Sequence, residues 1–139
     1  MSVFNTFEEI EAWKEGRVLV RRIRTICRSE KAKKDFPFVD QVTRASRSVC
    51  ANIAEGFESL STPEFIMFLG YAKRSAGEVR SHLYDARDEQ YISMEEFNEL
   101  SELARKICSM LAKLIHYLQS VDQKQRRTLK QPILHTNNQ

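Results

Sequence analysis

Apolar residues recur at alternating spacings of three and four along four stretches of this chain. This period is typical of amphipathic helices, and no segment shows the sustained alternation expected of a half-buried strand. The first stretch predicts a helix that begins at Thr6, where Glu9 completes a capping box. The helix should close before Pro37, because the residue preceding a proline is disfavoured in the helical region. Its apolar stripe comprises Trp13, Gly16, Val20, Ile23 and Cys27.

The second and third stretches predict a helical hairpin. Their apolar stripes comprise Val42, Ala45, Val49 and Ile53 in the second and Phe65, Phe68, Leu69, Ala72, Ala76, Val79, Leu83 and Ala86 in the third. The second helix should run from Phe38 to Glu55, with Gly56 as a left-handed residue just after its C-terminus. The third should begin with Thr62 as its N-cap and Pro63 at the first helical position, where the missing N–H costs nothing.

The fourth stretch has the most regular stripe. It opens at Ser93, where Glu96 completes a second capping box, and about 25 helical residues would span roughly 40 Å. The apolar positions are Phe97, Leu100, Ala104, Ile107, Leu111, Leu114 and Leu118. Four long amphipathic helices joined by short turns pack most simply as an antiparallel up-down bundle, so we predict an all-α, four-helix fold.

After Ser120 the apolar pattern ends, and Lys, Arg, Gln and Asn dominate. We therefore predict a bundle over residues 1–120 and a flexible, disordered basic tail over residues 121–139. A chain of 139 residues with 42% apolar and 29% charged residues is long enough for one globular domain with a single core.

The three cysteines, Cys27, Cys50 and Cys108, are widely spaced and lie among helical apolar positions. An odd count without a CxxC pair argues against a disulfide framework or a zinc site, and favours buried free thiols. The first thirteen residues contain three glutamates and no apolar run, so they do not resemble a signal peptide, and no window has membrane-spanning length. We expect a cytoplasmic protein without a membrane partner.

Charge is distributed unevenly along the chain. The net charge is +3, yet residues 14–34 hold nine Lys or Arg against two acids, whereas residues 78–102 hold eight acids against two arginines. This polarity indicates either a polyanionic partner or self-complementary assembly.

Five cations of the first helix recur at spacings of three and four and so share one helical face. We call them the basic stripe: Lys14, Arg17, Arg21, Arg24 and Arg28. Phosphates would relieve their mutual repulsion, which predicts RNA or DNA binding through the backbone with little sequence readout. No aromatic residue interleaves the stripe, so base stacking is not predicted. Two alternatives remain: a solvated face, or contact with the acids of a neighbouring subunit, namely Asp85, Asp88, Glu89, Glu95, Glu96 and Glu99.

Signals for enzymatic chemistry are weak. Neither His82 nor His116 follows a glutamate by three residues, as a di-iron bundle requires. Glu78 and His82 share a face, which is typical of a surface hydrogen bond. The chain has no phosphate loop and no nucleophile elbow. We therefore expect no catalytic residue, metal or cofactor.

Three residues near the end of the second helix stand out. Asn52 lies beside the apolar stripe, so its amide should be partly buried and hydrogen-bonded. Glu55 lies at the unfavourable end of the helix dipole, which predicts a cationic or N–H partner such as Arg44, Arg47 or the start of the third helix. With Gly56 these residues are better interpreted as a device that shapes the hairpin than as a reactive site.

At these residues the chain resembles the bacterial four-helix-bundle proteins encoded in intervening sequences of 23S ribosomal RNA genes. The resemblance covers about residues 7–119. It rests on Gln41, Arg44 and Arg47 leading into Asn52-Ile53-Ala54-Glu55-Gly56, then Ser61, Glu64-Phe65, Phe68-Leu69, Ala72, Ser75, Glu78 and Gln90-Tyr91-Ile92.

This resemblance implies an up-down bundle that assembles as a ring-shaped homopentamer. The family is similar in fold to the accessory variability protein of diversity-generating retroelements, a basic barrel that associates with a reverse transcriptase and nucleic acid. It implies a non-enzymatic, oligomeric nucleic-acid-binding or ribonucleoprotein accessory protein. The alternative is a structural interaction module whose charge polarity serves self-assembly.

Two departures from the family pattern affect these expectations. The Ile-Pro that commonly precedes the Asn-Ile-Ala-Glu-Gly string is replaced here by Cys50-Ala51, so a proline kink is lost. A usual Gly-Ser pair in the third helix reads Arg74-Ser75, so the oligomer would differ if that glycine served a subunit contact.

Overall fold

The computed structural model describes residues 4–130, and all regular structure in this part of the chain is helical. The elements are a 3₁₀ turn at Phe7–Glu9 and four α-helices: α1 at Glu11–Cys27, α2 at Phe36–Glu58, α3 at Thr62–Asp88 and α4 at Met94–Lys130. The predicted all-α, four-helix fold is confirmed.

Each helix runs antiparallel to its neighbour in the chain, and α1 also lies antiparallel to α4. Arg22 and Glu15 of α1 bind Glu99 and Lys106 of α4, with N–O distances of 2.9 and 3.1 Å, so residue numbers rise along α1 as they fall along α4. Within the described residues α1 packs against α2 and α4, while α3 packs against α2 and α4. This is the cross-section of an up-down bundle.

The core runs along the bundle axis and is built from the predicted stripes. Its fully buried members are mostly branched aliphatic residues, which fill space in well-defined rotamers. The larger ones are Leu19, Ile23, Val42, Val49, Ile53, Leu69, Val79, Leu83, Leu100, Ile107 and Leu111.

The helix starts differ in detail from the predictions. The capping box at Ser93 is confirmed, because Ser93 Oγ accepts the N–H of Glu96 at 3.1 Å while the Glu96 carboxylate accepts the N–H of Ser93 at 3.3 Å. The box at Thr6 is wrong: the Glu9 carboxylate accepts the N–H of Asn5, and Thr6 makes no side-chain cap. Buried Ile10 is extended and separates the 3₁₀ turn from α1.

The predicted left-handed Gly56 is wrong as well. Helix α2 continues past it to Glu58, and none of the glycines in the described residues has a positive φ. A Cβ on Gly56 would lie 2.8 Å from Phe68 Cβ and 2.9 Å from the Phe65 ring. The glycine is therefore needed for close approach of α2 to α3. The N-cap of α3 is Ser61, one residue earlier than predicted, and its Oγ accepts the N–H of Glu64.

Helix α4 continues ten residues beyond Ser120, into the segment predicted as a tail. No glycine or proline interrupts residues 94–131, and Asp122 pairs with Arg126 one turn later at 3.1 Å, so the helix persists without core contacts. Residues 123–129 are all exposed. The rest of the predicted tail, residues 131–139, lies outside the described residues.

The turn between α3 and α4 is tied to the loop between α1 and α2. Tyr91 donates its hydroxyl to Asp35, with the oxygens 2.7 Å apart, and its ring packs on Phe38 at a centroid distance of 5.2 Å. Asp35 is also the N-cap of α2 and accepts the N–H of Phe38. The Asp35 carboxylate therefore fixes both the start of α2 and the position of the α3–α4 turn.

The first prediction concerns close packing at Gly56. Gly56→Ala should lower the free energy of unfolding by about 1–3 kcal/mol, since the added Cβ meets two phenylalanines and overpacking outweighs the better helix propensity of alanine. Gly70→Ala and Gly77→Ala are matched controls, because an added Cβ there meets no atom within 4 Å. At a protein concentration at which light scattering gives a monomeric mass, each should stabilise the protein by about 0.5–1 kcal/mol. Urea unfolding measures all three, and a Gly56→Ala protein as stable as wild type would contradict the packing role.

The second prediction concerns the Tyr91–Asp35 hydrogen bond. Together with burial and the charges of Asp35 and Glu89, this bond raises the pKa of Tyr91 to about 12. The stability supplied by the protonated tyrosine is complete below the ordinary tyrosine pKa of about 10 and is lost as the pH rises toward about 12. Over that range, wild type should lose more thermal stability than Tyr91→Phe does. If the Tm values of the two proteins fall in parallel as the pH rises, the hydrogen bond does not contribute to stability.

Candidate nucleic-acid interface

The basic stripe lies on the outer surface of α1, where all five of its residues are exposed. Close packing of α1 against α2 sets this orientation. A Cβ on Gly16 would come within 2.7 Å of Cys50 Sγ, and the Cys50 thiol donates to the carbonyl of Trp13 at 3.6 Å. Of the other charged residues of α1, Glu15 and Arg22 are turned toward α4 by their ion pairs, and Glu11 pairs with Lys14.

The arginines of the stripe have no acidic partner within the described residues. Lys14 pairs with Glu11 at 3.1 Å, whereas no ion pair forms at Arg17, Arg21, Arg24 or Arg28 in this part of the chain. Four guanidinium groups, each with five donors in a planar fork, therefore point toward solvent uncompensated. Such a row suits an anion with regularly spaced charges.

The stripe lies close to the seam between α1 and α2. Burial raises the pKa of the Cys50 thiol to about 11, and the positive charge of Arg17 opposes that rise. Burial also raises the pKa of Cys27, against a hydrogen bond with Thr43 and the charge of Arg24. Two stripe arginines are thus near enough to α2 to act on thiols in the seam, so the surface of α2 beside them belongs to the same electrostatic region.

Arg47 of α2 extends the stripe, and the sequence analysis missed it as a binding residue. It stands one helical turn from Thr43 and one from Cys50, both of which contact α1, so it lies on the edge of α2 that borders the stripe. It is exposed and has no ion pair in the residues that the structure covers. We call the basic stripe together with Arg47 the basic face.

Positive charge continues at the C-terminal end of the stripe. The loop after α1 carries Lys31 and Lys34, which are exposed and without an ion pair within residues 4–130, whereas Lys33 pairs with Glu30 at 2.8 Å.

Arg47 joins the stripe only through the register of the antiparallel contacts between α1 and α2. The spacing of residues within one helix does not show that register, so the sequence of α1 could not indicate Arg47.

We call Asp85, Asp88, Glu89, Glu95, Glu96 and Glu99 the acidic region. It lies around the α3–α4 turn, at the same end of the bundle as the loop after α1. Four of its six acids already have partners in the chain: Glu99 binds Arg22, Asp88 binds Arg87, Asp85 lies 3.6 Å from His82, and Glu96 caps α4. Glu89 and Glu95 lack an ion pair in the described part of the chain. Within the described residues, arginines therefore compensate two of the six acids, Glu99 and Asp88, while Asp85 lies beside a histidine and Glu96 accepts a backbone N–H.

Asn52 is half-buried, as predicted, and takes part in a polar contact between α2 and α3. Its amide donates to the carbonyl and the hydroxyl of Ser48 at 2.9 and 2.8 Å, and the Ser75 hydroxyl donates to Ser48 Oγ at 3.0 Å. This chain of three polar side chains satisfies groups in an otherwise apolar seam and so defines the register of the two helices.

Glu55 does not make the predicted contact. It is exposed, and within residues 4–130 its carboxylate has neither an ion pair nor a hydrogen bond, while Arg44 binds Asp40 instead at 3.0 Å. Because α2 ends at Glu58 rather than at Glu55, the carboxylate is one turn further from the helix terminus than the sequence predicts. The motif thus consists of a polar contact at Asn52, a packing glycine at Gly56 and an exposed Glu55.

Residues that could support other chemistry are dispersed. All three thiols are free; Cys27 and Cys50 are buried and Cys108 is half-buried. His82 lies 3.4 Å from Glu78, the surface pairing that their spacing predicts. Within residues 4–130, no group of three or more His, Cys, Asp or Glu is placed to hold a metal ion. No helix in that range is both long and apolar enough to cross a membrane.

A second surface feature lies on the outer side of α3. Gly70 and Gly77 share one face with Met67 and Arg74, and a Cβ on either glycine would meet nothing. Packing among the described residues therefore does not require them. Arg74 is folded away over the ring of Tyr71, with 5.2 Å from the guanidinium carbon to the ring centroid.

Comparisons with known proteins give one family and one fold. The profile of a family described as 23S rRNA-intervening sequence protein matches residues 8–113. Among solved structures, the chain is similar to a protein of unknown function from the S23 ribosomal protein family of Bacteroides thetaiotaomicron VPI-5482. The two share 24% identity with a TM-score of 0.69 over 75% of this chain and 97% of that one, which shows a common fold. No curated protein matches.

Proposed function

We propose that this chain, which belongs to the 23S rRNA-intervening sequence protein family, binds the phosphate backbone of RNA or DNA through its basic face. The observation that carries the proposal is the row of four exposed arginines without acidic partners in the described residues, extended by Arg47. The protein acts as a non-enzymatic accessory factor in the cytoplasm, with no cofactor.

The spacing of the stripe favours a polyanion over a single anion. Consecutive stripe residues are three or four positions apart, which places their Cα atoms roughly 4.5–6 Å apart along the helix axis. Each phosphate that an arginine neutralises releases a counterion, so affinity comes from charge and falls with salt. A single small anion would contact only one or two of these groups.

Self-assembly through opposite charges is the alternative function of the basic face. It would require free acids on a neighbouring copy, but in the described residues Glu99 and Asp88 already bind arginines and Glu96 accepts the N–H of Ser93 within their own chain. Breaking those contacts would offset much of the gain from new ion pairs on an exposed surface. The distribution of partners therefore supports nucleic acid.

Assembly of the chain is a separate part of the proposal. We place a contact between copies on the α3 face around Gly70 and Gly77, since each glycine weakens a helix interior by about 1 kcal/mol and serves no close contact among residues 4–130. Exposed Met67 and Tyr71 add apolar area to that region. By family resemblance the assembly is a homopentamer, and a reverse transcriptase is the protein partner that the similarity to retroelement accessory proteins implies.

The third prediction tests the basic face. The variant Arg17→Ala/Arg21→Ala/Arg24→Ala should bind a structured RNA more weakly than wild type does. In titrations at several salt concentrations, the dependence of log affinity on log salt should become shallower by roughly one unit for each arginine that contacts a phosphate. Binding by wild type that is absent, or insensitive to salt, would refute the proposed function.

The matched control for this variant removes the same charge elsewhere. Lys73, Arg105 and Lys113 are exposed on α3 and α4, away from the basic face. Their triple alanine variant should retain the wild-type affinity and salt slope. If both triple variants lose affinity equally, net charge rather than the basic face determines binding.

The fourth prediction tests assembly. Gly70→Gln/Gly77→Gln should fold with unchanged helicity, because both sites are open in the monomer and glutamine is a good helix former. The longer side chains should block close approach of a second copy and lower the mass measured by light scattering. If wild type is oligomeric and the variant has the same mass, the interface lies elsewhere on the protein. If wild type is itself monomeric, the proposed homo-oligomer is excluded.

A further inference from the structure

A groove on the first turns of α2 remains unused by the proposed phosphate contacts. It has a volume of about 580 Å³ and is lined by Phe36, Val39, Asp40, Thr43, Arg44 and Arg47. Phe36 forms one side of it and is 75% exposed, which is unusual for a phenylalanine. The groove is therefore apolar along one side and carries arginines along the other.

The groove is continuous with the basic face. Thr43 lines the groove and also contacts the end of α1, where its Oγ1 lies 3.8 Å from Cys27 Sγ. Arg28 follows Cys27 directly and ends the basic stripe, while Arg47 belongs to both the groove and the basic face. A nucleic-acid strand whose phosphates contact the basic stripe would thus reach the groove at the C-terminal end of the stripe.

The charge balance of the groove favours an anion-bearing ligand. Asp40 is neutralised by Arg44 at 3.0 Å, whereas Arg47 has no ion pair in the described residues, so the lining carries a net positive charge. Lys34, exposed and likewise unpaired within residues 4–130, stands two residues before Phe36. A ligand that combines an aromatic ring with neighbouring phosphates complements this surface.

Phe36 is held by a rigid support. It is the first residue of α2, next to Asp35, whose carboxylate accepts both the N–H of Phe38 and the hydroxyl of Tyr91. An exposed ring on a fixed backbone can stack on a planar ligand at little entropic cost.

We propose that the Phe36 groove binds an unpaired nucleobase of the strand whose phosphates contact the basic face. The inference rests on the proposed function and names its substrate class: nucleic acid with a single-stranded segment beside a duplex. It departs from the expectation that base stacking plays no part, which followed from the absence of aromatic residues within the basic stripe. The sequence pattern of α1 alone led to that expectation, because Phe36 comes from the next helix.

The test compares two RNA hairpins by fluorescence anisotropy. Both carry a single-stranded extension of the same length. The extension has its bases in one hairpin and is abasic in the other, so the two probes have the same phosphates and differ only in the bases. Wild type should bind the probe with bases roughly tenfold more tightly, the scale of one base stacked on an aromatic side chain. Phe36→Ala should remove this preference and leave the affinity for the abasic probe unchanged.

Two variants control for folding and for exposed apolar area. Phe36→Tyr keeps an aromatic ring and should keep the preference. Leu60→Ala removes a side chain that is 98% exposed beyond the opposite end of α2, and it should behave as wild type does.

The remaining outcomes distinguish the inference from the function on which it rests. Equal, salt-sensitive binding of both probes by wild type would overturn the groove inference and retain the phosphate-binding function. Failure of both probes to bind would overturn both. If Phe36→Ala changes the mass of the free protein in light scattering, the groove is covered by another copy of the chain, which also overturns the inference.

Discussion

The close approach of α1 to α2 at Gly16 is the contact on which the candidate interface depends. A side chain at this position would meet Cys50 Sγ at 2.7 Å, so the two helices can pack at this distance only around a glycine. With this side of α1 held against α2, Leu19 and Ile23 point into the core and Arg22 meets Glu99 of α4. The helix has one remaining side, and the basic stripe occupies it.

Helix α2 is the element that relates the rest of the bundle to this surface. On one side it packs against Gly16 of α1, and on the other its Gly56 lies against Phe65 and Phe68 of α3, with the Asn52–Ser48–Ser75 contact between them. The close contacts with both neighbours hold α2 in a fixed rotation about its axis. That rotation places Arg47 beside the basic stripe and exposes Phe36 at the end of it.

Much of the fold was predictable because helical periodicity reports directly on burial. The stripes of all four helices, the Ser93 cap and the half-buried Asn52 are properties of single helices, and they are confirmed. The family that the string around Asn52 indicates also matches the chain. Gly56 was misjudged because a glycine near a helix end is compatible with both a left-handed cap and a close approach, and the sequence does not show the phenylalanines opposite it.

The candidate site was predictable only in part, for a related reason. The basic stripe comes from one helix and can be found by spacing alone, but Arg47 and Phe36 join it through the register between α1 and α2. The extent of α4 was underestimated because its last turns bury little apolar surface, and they persist through helix propensity and the Asp122–Arg126 pair. Contacts between elements thus decided the roles of Gly56, Arg47 and Phe36, whereas the helix starts predicted at Thr6 and Thr62 and the end of α4 differ for local reasons.

The central claim is that the basic face, and no other cationic surface, contacts nucleic acid. Arginine-specific chemical modification, quantified by mass spectrometry with and without a structured RNA, measures this residue by residue. The account predicts protection of Arg17, Arg21, Arg24, Arg28 and Arg47, while Arg105 on α4 remains as reactive as in the free protein. Equal protection of all these arginines, or protection confined to Arg105, would contradict it.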